Sequence, residues 1–129
     1  MPPEPFEYAV LRVVPRVERG EQVNVGVVLQ CRPRRFLGCR IELRGSRLDA
    51  LRAIAPDLDL AAVQSHLDGI RRIVAGDATA GPIAKLSRPE RFHWLVSPSS
   101  TMIQPSPSHT GLTEDPQASL DDLFAKLVG

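Results

Sequence analysis

Apolar and polar positions follow a period of two through residues 7–14 (EYAVLRVV), 23–31 (VNVGVVLQC) and 36–43 (FLGCRIEL). Runs of this kind, rich in β-branched residues, predict strands. Residues 15–22 (PRVERGEQ) and 32–35 (RPRR) carry the proline, glycine and charge that interrupt pairing, so the three runs predict two successive antiparallel hairpins. Strand parity puts Ala9, Leu11 and Val13, then Val23, Val25, Val27 and Leu29, then Leu37, Cys39, Ile41 and Leu43 on a core side. The other side collects Tyr8, Val10, Arg12, Val14, Asn24, Gly26, Val28, Phe36, Gly38, Arg40 and Glu42, and is half polar. Glycines inside strands mark a close approach. A later segment packing over Gly26 and Gly38 is expected, with a shallow pocket rimmed by Arg12, Asn24 and Arg40 as the rival.

Past residue 43 the period becomes about 3.6. Ser46 with Asp49 resembles a capping box for a short helix near 47–55 that ends at Pro56. A second helix near 59–75, capped by Asp57 or Asp59, carries Leu60, Val63, Leu67, Ile70 and Val74 on one stripe and stops at Gly76. Ser87, Pro89 and Glu90 form a helix-start signature, yet Phe92, Trp94 and Val96 also alternate, so residues 91–96 read as helix or strand. Residues 97–110 hold seven hydroxyl residues and three prolines; within them residues 101–104 (TMIQ) predict a fourth strand. Asp115 and Pro116 then open an amphipathic helix near 116–128, with Leu120, Leu123, Phe124 and Leu127 on the side that docks on the sheet. The expected fold is α+β, a small antiparallel sheet of about four strands with helices packed mainly on one face, in one domain over residues 1–129.

At 129 residues and 43% hydrophobic, the chain has material for one core. No apolar run approaches the ~18 residues of a membrane span, and the first residues (MPPEPFEY) lack the basic start and apolar core of a signal peptide, so a cytoplasmic protein without a membrane partner is expected. Net charge is only +1, but residues 1–56 carry +4 and residues 57–129 carry −3. Cys31 and Cys39 have no second cysteine pair and poor zinc spacing, so no metal is expected; reduced core thiols are the reading, with a bridge geometrically conceivable if the turn centres near Arg34 and Arg35.

Chemical motifs are sparse. A phosphate-binding glycine loop, GxGxxG, HExxH, GxSxG and CxxC are all missing, and no cofactor is expected. Three surfaces remain. The first joins Arg12, Asn24 and Arg40 to Glu18, Arg19 and Glu21 of the first loop, polar decoration on an apolar hairpin that fits a protein partner. The second is an enzyme or nucleotide- and phosphate-binding site built from Arg91, His93, Gln104, Ser106 and His109, since a histidine near a serine is the minimum for activating a nucleophile. No third group is identifiable to orient either imidazole. The third is a strip of Arg32, Arg34, Arg35, Arg40, Arg44 and Arg47 facing nucleic acid, against which one Trp, one Tyr and four Phe offer few stacking platforms.

Tyr8-Ala9-Val10-Leu11-Arg12, Glu18-Arg19-Gly20-Glu21 and Val23-Asn24-Val25-Gly26-Val27, followed by Arg91-Phe92-His93-Trp94-Leu95 and Gln104-Pro105-Ser106-Pro107, resemble the bacterial family called domain of unknown function 3037. The resemblance covers nearly the whole chain. It implies a small cytosolic bacterial protein and supplies no catalytic residues. It also implies, for some members, a neighbouring gene for a kinase-like protein similar to the toxin of persistence-type toxin-antitoxin pairs. The leading expectation is accordingly a non-enzymatic protein-binding or regulatory module acting with a kinase-like partner. Pairing of an unprotected sheet edge with a second copy, giving a homodimer, is a further expectation.

Overall fold

The computed structural model of the chain describes residues 2–97 and 102–129, apart from the side chain of Val17. Strands β1 (Glu4–Val13), β2 (Val23–Cys31) and β3 (Phe36–Ile41) form the two hairpins. Helices α1 (Gly45–Ile54), α2 (Leu60–Ala75) and α3 (Arg88–Val96) follow. Two short strands, β4 (Ile103–Pro105) and β5 (His109–Thr113), lead into α4 (Pro116–Leu127). All strand pairs are antiparallel, in the order β3-β2-β1, and β4 and β5 share the remaining side of β1. The fold is α+β, as the hydrophobic pattern predicts, with a five-stranded sheet in place of about four strands. The predicted strand at 101–104 is realised as Ile103–Pro105; Pro98 and Thr101 lie outside the described residues.

The sheet is covered on both faces. Leu51 of α1, Val63, Leu67 and Ile70 of α2 and Phe92 and Leu95 of α3 pack with Ala9, Leu11, Val13, Val25, Val28 and Ile41. On the opposite face Leu120 and Phe124 of α4, with Val128, pack with Phe6, Val27, Leu29 and Cys31. Strict alternation placed Val25, Val27 and Leu29 together on one side; the structure moves Val27 and Leu29 to the α4 side and Val28 to the other. The cause is a β-bulge. Leu11 pairs with Gly26 but Arg12 pairs with Asn24, so Val25 is an extra residue and the parity of β2 reverses there. Two carbonyls at the bulge find partners: Arg47 Nη1 donates to Asn24 O at 2.9 Å and Glu42 N donates to Val25 O at 2.8 Å.

The two strand glycines answer to different neighbours. A Cβ on Gly38 would stand 3.2 Å from Leu120 Cδ2 and 2.7 Å from the Phe36 ring, so this glycine makes room for α4, as expected of a later segment. At Gly26 a Cβ would meet Arg40 O and Ile41 Cγ1, both at 2.8 Å, so the close approach there comes from β3 beside the bulge. Cys31 pairs with Phe36 and Cys39 with Val28, and the two thiols belong to cores on opposite faces. That placement rules out the conceivable Cys31–Cys39 bridge; both thiols are free.

Local signals fix the helices. Asp59 caps α2 by accepting from Ala62 N at 3.0 Å, and Asp115 caps α4 by accepting from Ala118 N at 3.2 Å. Residues 91–96 are helical, secured by a reciprocal capping box between Ser87 and Glu90. The box expected at Ser46 does not form: α1 begins earlier, at Gly45, with Arg44 as its N-cap and no side-chain cap bond.

Candidate functional site

The first candidate surface is divided by the fold. Glu18 and Arg19 sit on a 3-10 turn (Val17–Arg19) between β1 and β2, where Arg19 Nε pairs with Glu21 Oε1 within the loop. Arg40 lies on the α4 side of β3, its guanidinium 4.3 Å from the centre of the Phe124 ring and its Nη1 3.4 Å from Asp121 Oδ1. Such contacts tie Arg40 to α4. Arg12 and Asn24 are cross-strand neighbours. Asn24 Nδ2 donates to Leu127 O at 3.2 Å, the partner its position in an apolar strand demands.

The second candidate surface is divided as well. Arg91 is buried in α3, where Nη1 donates to Ile73 O at 2.9 Å and to Val74 O at 3.1 Å, so it caps the C-terminal end of α2. His93 is exposed on the same helix. Gln104 stands opposite Arg12 on β4. Ser106 fills the gap between the β4 and β5 pairings: its Oγ accepts from Val10 N at 2.8 Å and donates to Pro107 O at 3.0 Å. Through these two bonds the hydroxyl ties the segment between β4 and β5 to β1. His109 stacks on Tyr8, ring centres 5.3 Å apart. Two residues of each set meet in one place: Arg12 and Asn24 line, with Ser106 and His109, a recess of about 210 Å³ beside Leu127. Arg12 closes it by donating from Nη2 to Pro105 O at 3.2 Å.

The arginine strip also breaks up. Arg32 and Arg34 lie on a 3-10 turn (Arg32–Arg34) with Arg35 at its end, while Arg44 and Arg47 lie beyond the far end of β3 and are engaged by Glu42 and by Asn24 O.

A larger cleft brings His93 of the second candidate set together with Arg32 of the arginine strip, a combination the sequence reading did not join. It measures about 630 Å³ and lies between α3 and the α3-side face of the sheet. Glu7 and Gln30 form its floor, Phe92, His93 and Trp94 its helical wall, and Leu86 and Arg32 its mouth. A recess of about 440 Å³ continues it past Gln30 to Arg35 and Arg88. Trp94 is 47% exposed and Leu86 38%, a large apolar surface for a chain with one tryptophan. The acidic side chains there are already engaged: Glu90 accepts from Ser87, and Glu7 accepts from Gln30 at 3.4 Å. By contrast, Arg32, Arg35 and Arg88 are exposed, and among the described residues none of them joins an ion pair. Arg35 moreover has φ +52°, a left-handed backbone that glycine or asparagine adopts at lower cost.

Sequence reasoning named His93, Arg32 and Arg35 but did not assemble them into this cleft, because Phe92, Trp94 and Val96 also alternate as one face of a strand would. Once the segment is helical, Phe92 and Leu95 turn inward and His93 and Trp94 outward. The signal available was the helix-start signature at Ser87, which makes an outward tryptophan a consequence.

Among the described residues no group of three or more His, Cys, Asp or Glu could hold a metal ion, and no helix is long and apolar enough to cross a membrane. Burial pushes the Cys39 thiol up to about 11, with Arg71 pulling the other way, so it stays a neutral core group. Neither curated proteins nor solved structures gave a match. The model of the family described as Protein of unknown function (DUF3037) matches residues 8–128, nearly the whole chain, and the chain therefore belongs to that family.

Proposed function

We propose that this chain is a non-enzymatic protein-binding module of the cytosol, and that it takes an acidic segment of a protein partner, carrying an apolar side chain, into the cleft between α3 and the sheet. The observation that carries this reading is the exposure of Trp94 and Leu86 beside three arginines that join no ion pair among the described residues. Aromatic anchors and arginines dominate binding energy at protein interfaces. Unpaired arginines add steering and select for acidic partners. A left-handed Arg35, held where a smaller residue costs less, fits a side chain kept for contact rather than for the turn. A kinase-like protein, which the family resemblance implies as a genetic neighbour of some members, is the first partner to test.

The test is a tagged pull-down at near-native expression, read by mass spectrometry, followed by titration calorimetry with the purified partner. Trp94→Ala is expected to weaken binding by roughly 30-fold, the ~2 kcal/mol of an aromatic anchor, and Arg35→Glu to weaken it while reducing its salt dependence. Cross-linking should place an acidic segment of the partner at the cleft. A partner held equally by both variants, but lost on double charge reversal of Arg19 and Glu21, would move the surface back to the first loop and overturn the proposal.

A further inference from the structure

Strand β5 is the outer strand on its side of the sheet, and it is exceptionally bare. Among the described residues its substantial packing is with β1 alone, because α3 and α4 lie over β2 and β3. Leu112 is 70% exposed, and His109 and Thr110 are exposed as well. Natural edge strands are blunted by charge, proline, a bulge or a covering element. Residues 109–113 (HTGLT) contain no Lys, Arg, Asp, Glu or Pro, and their pairing with β1 runs without a register shift.

The backbone direction at this edge follows from β1. Val10 donates its N–H to Ser106 Oγ and accepts from Ser106 N, and Val14 N donates to Met102 O, so even-numbered residues of β1 turn their polar groups toward β4 and β5. Pro5 O, on the opposite parity, accepts from Cys31 Sγ on the β2 side. The pairs Tyr8 with His109, Phe6 with Gly111 and Glu4 with Thr113 are therefore the hydrogen-bonded ones. Thr110 and Leu112 consequently direct both N–H and C=O away from the sheet.

We propose that β5 pairs antiparallel with β5 of a second copy of this chain, about a two-fold axis at Gly111. In that register Thr110 of each copy stands opposite Leu112 of the other, and all four outward groups of each strand are used in four interchain hydrogen bonds. A two-fold centred on Thr110 or on Leu112 would leave part of that set facing other positions. The mate is already extended and held by its own β1, so it loses far less conformational freedom on pairing than a free peptide. No like charges meet along the strand. Leu112 is covered by the mate's Thr110 and the diagonal Leu112, and Gly111, with the Phe6 ring against its Cα, adds no side chain at the axis. The interface is separate from the reading of the α3 cleft as a protein-binding site, and joins two sheets into one of ten strands.

The test is sedimentation of the full chain over a dilution series, together with amide hydrogen exchange. The expected species is twice the 14.1 kDa chain mass, dissociating on dilution, with slow exchange at Thr110 and Leu112 only in the dimer. Leu112→Pro removes an outward N–H that β1 does not use, and Leu112→Lys places charge on the edge; both are expected to give a folded monomer with an unchanged circular dichroism spectrum. In Leu112→Lys the Thr110 amide is expected to exchange freely. A wild-type chain that stays monomeric with fast exchange at both amides overturns the proposal. So does a dimer that survives both substitutions.

Discussion

Replacing Arg91 with methionine separates a capping role from a packing role. Arg91 is 8% exposed, and its Nη1 donates to two last-turn carbonyls of α2. Ile73 O keeps a second donor, Gly76 N at 3.0 Å, whereas Val74 O loses a buried partner. Leaving that carbonyl unpaired costs ~1–3 kcal/mol. Losing the cation at a helix C-terminus costs about another 0.3–1 kcal/mol. Against this, Arg91 Nε is buried with no hydrogen-bond partner, and burial lowers the pKa of the guanidinium, Arg88 adding to the effect. Methionine removes that penalty while keeping much of the apolar stem contact. The balance is a loss of about 2 kcal/mol, roughly 6–10 °C in Tm for a chain of this size. Urea unfolding followed by far-ultraviolet circular dichroism reads it as a lower midpoint with unchanged slope. Arg91→Lys, whose ammonium can meet one carbonyl, should recover about half of the loss. A methionine variant as stable as the wild type would show that desolvation of the guanidinium outweighs its two hydrogen bonds, and would remove Arg91 as the cap of α2.

Other positions give independent checks. Gly26→Ala drives a methyl into Arg40 O and Ile41 Cγ1 and should cost ~1–3 kcal/mol in urea unfolding; an unchanged midpoint would mean that β3 yields at the bulge. Ser106→Ala leaves Val10 N without its acceptor and should lower stability by ~1–3 kcal/mol, with faster exchange of the Val10 amide as the specific sign. The neutral Cys39 thiol contributes stability that is full below pH 9 and is lost as pH rises to about 11, because the unfolded chain ionises first; Cys39→Ala should remove that decline. Arg35→Gly relieves a left-handed arginine and should leave stability equal or up to ~1 kcal/mol higher, yet weaken binding of an acidic partner.

The first three strands were legible because their apolar alternation is strong, and α2 and α4 because Asp59 and Asp115 announce their starts; Ser87 announces α3 as well, but the alternation of Phe92, Trp94 and Val96 left residues 91–96 open between helix and strand. The second layer was harder to see. Val25-Gly26-Val27-Val28-Leu29 is nearly unbroken in apolar residues, which is how a strand buried on both faces reads. Strict parity treated it as one-sided, and the bulge at Val25 is what turns successive valines to opposite cores. β5 escaped for the opposite reason: its residues are mostly exposed, so no apolar alternation marks them. Of the candidate surfaces, only the contact of Arg12 with Asn24 and the nearness of Ser106 to His109 followed from chain proximity. The α3 cleft depends on where a helix lies over a sheet, which no local pattern encodes.

The central position of β1 sets a timetable for folding. Its hairpin with β2 can form early, but its other side waits for Ser106 and the strands around it, and Val10 lies 96 residues before that serine. At a synthesis rate of about 5–20 residues per second, roughly 5–20 s separate the emergence of the two. Throughout that interval the nascent hairpin presents an apolar, unpaired backbone, the kind of surface that chaperones hold and that neighbouring nascent chains on a crowded message can capture. Cellular yield of this protein should therefore respond to translation speed and chaperone supply more than its final stability would suggest.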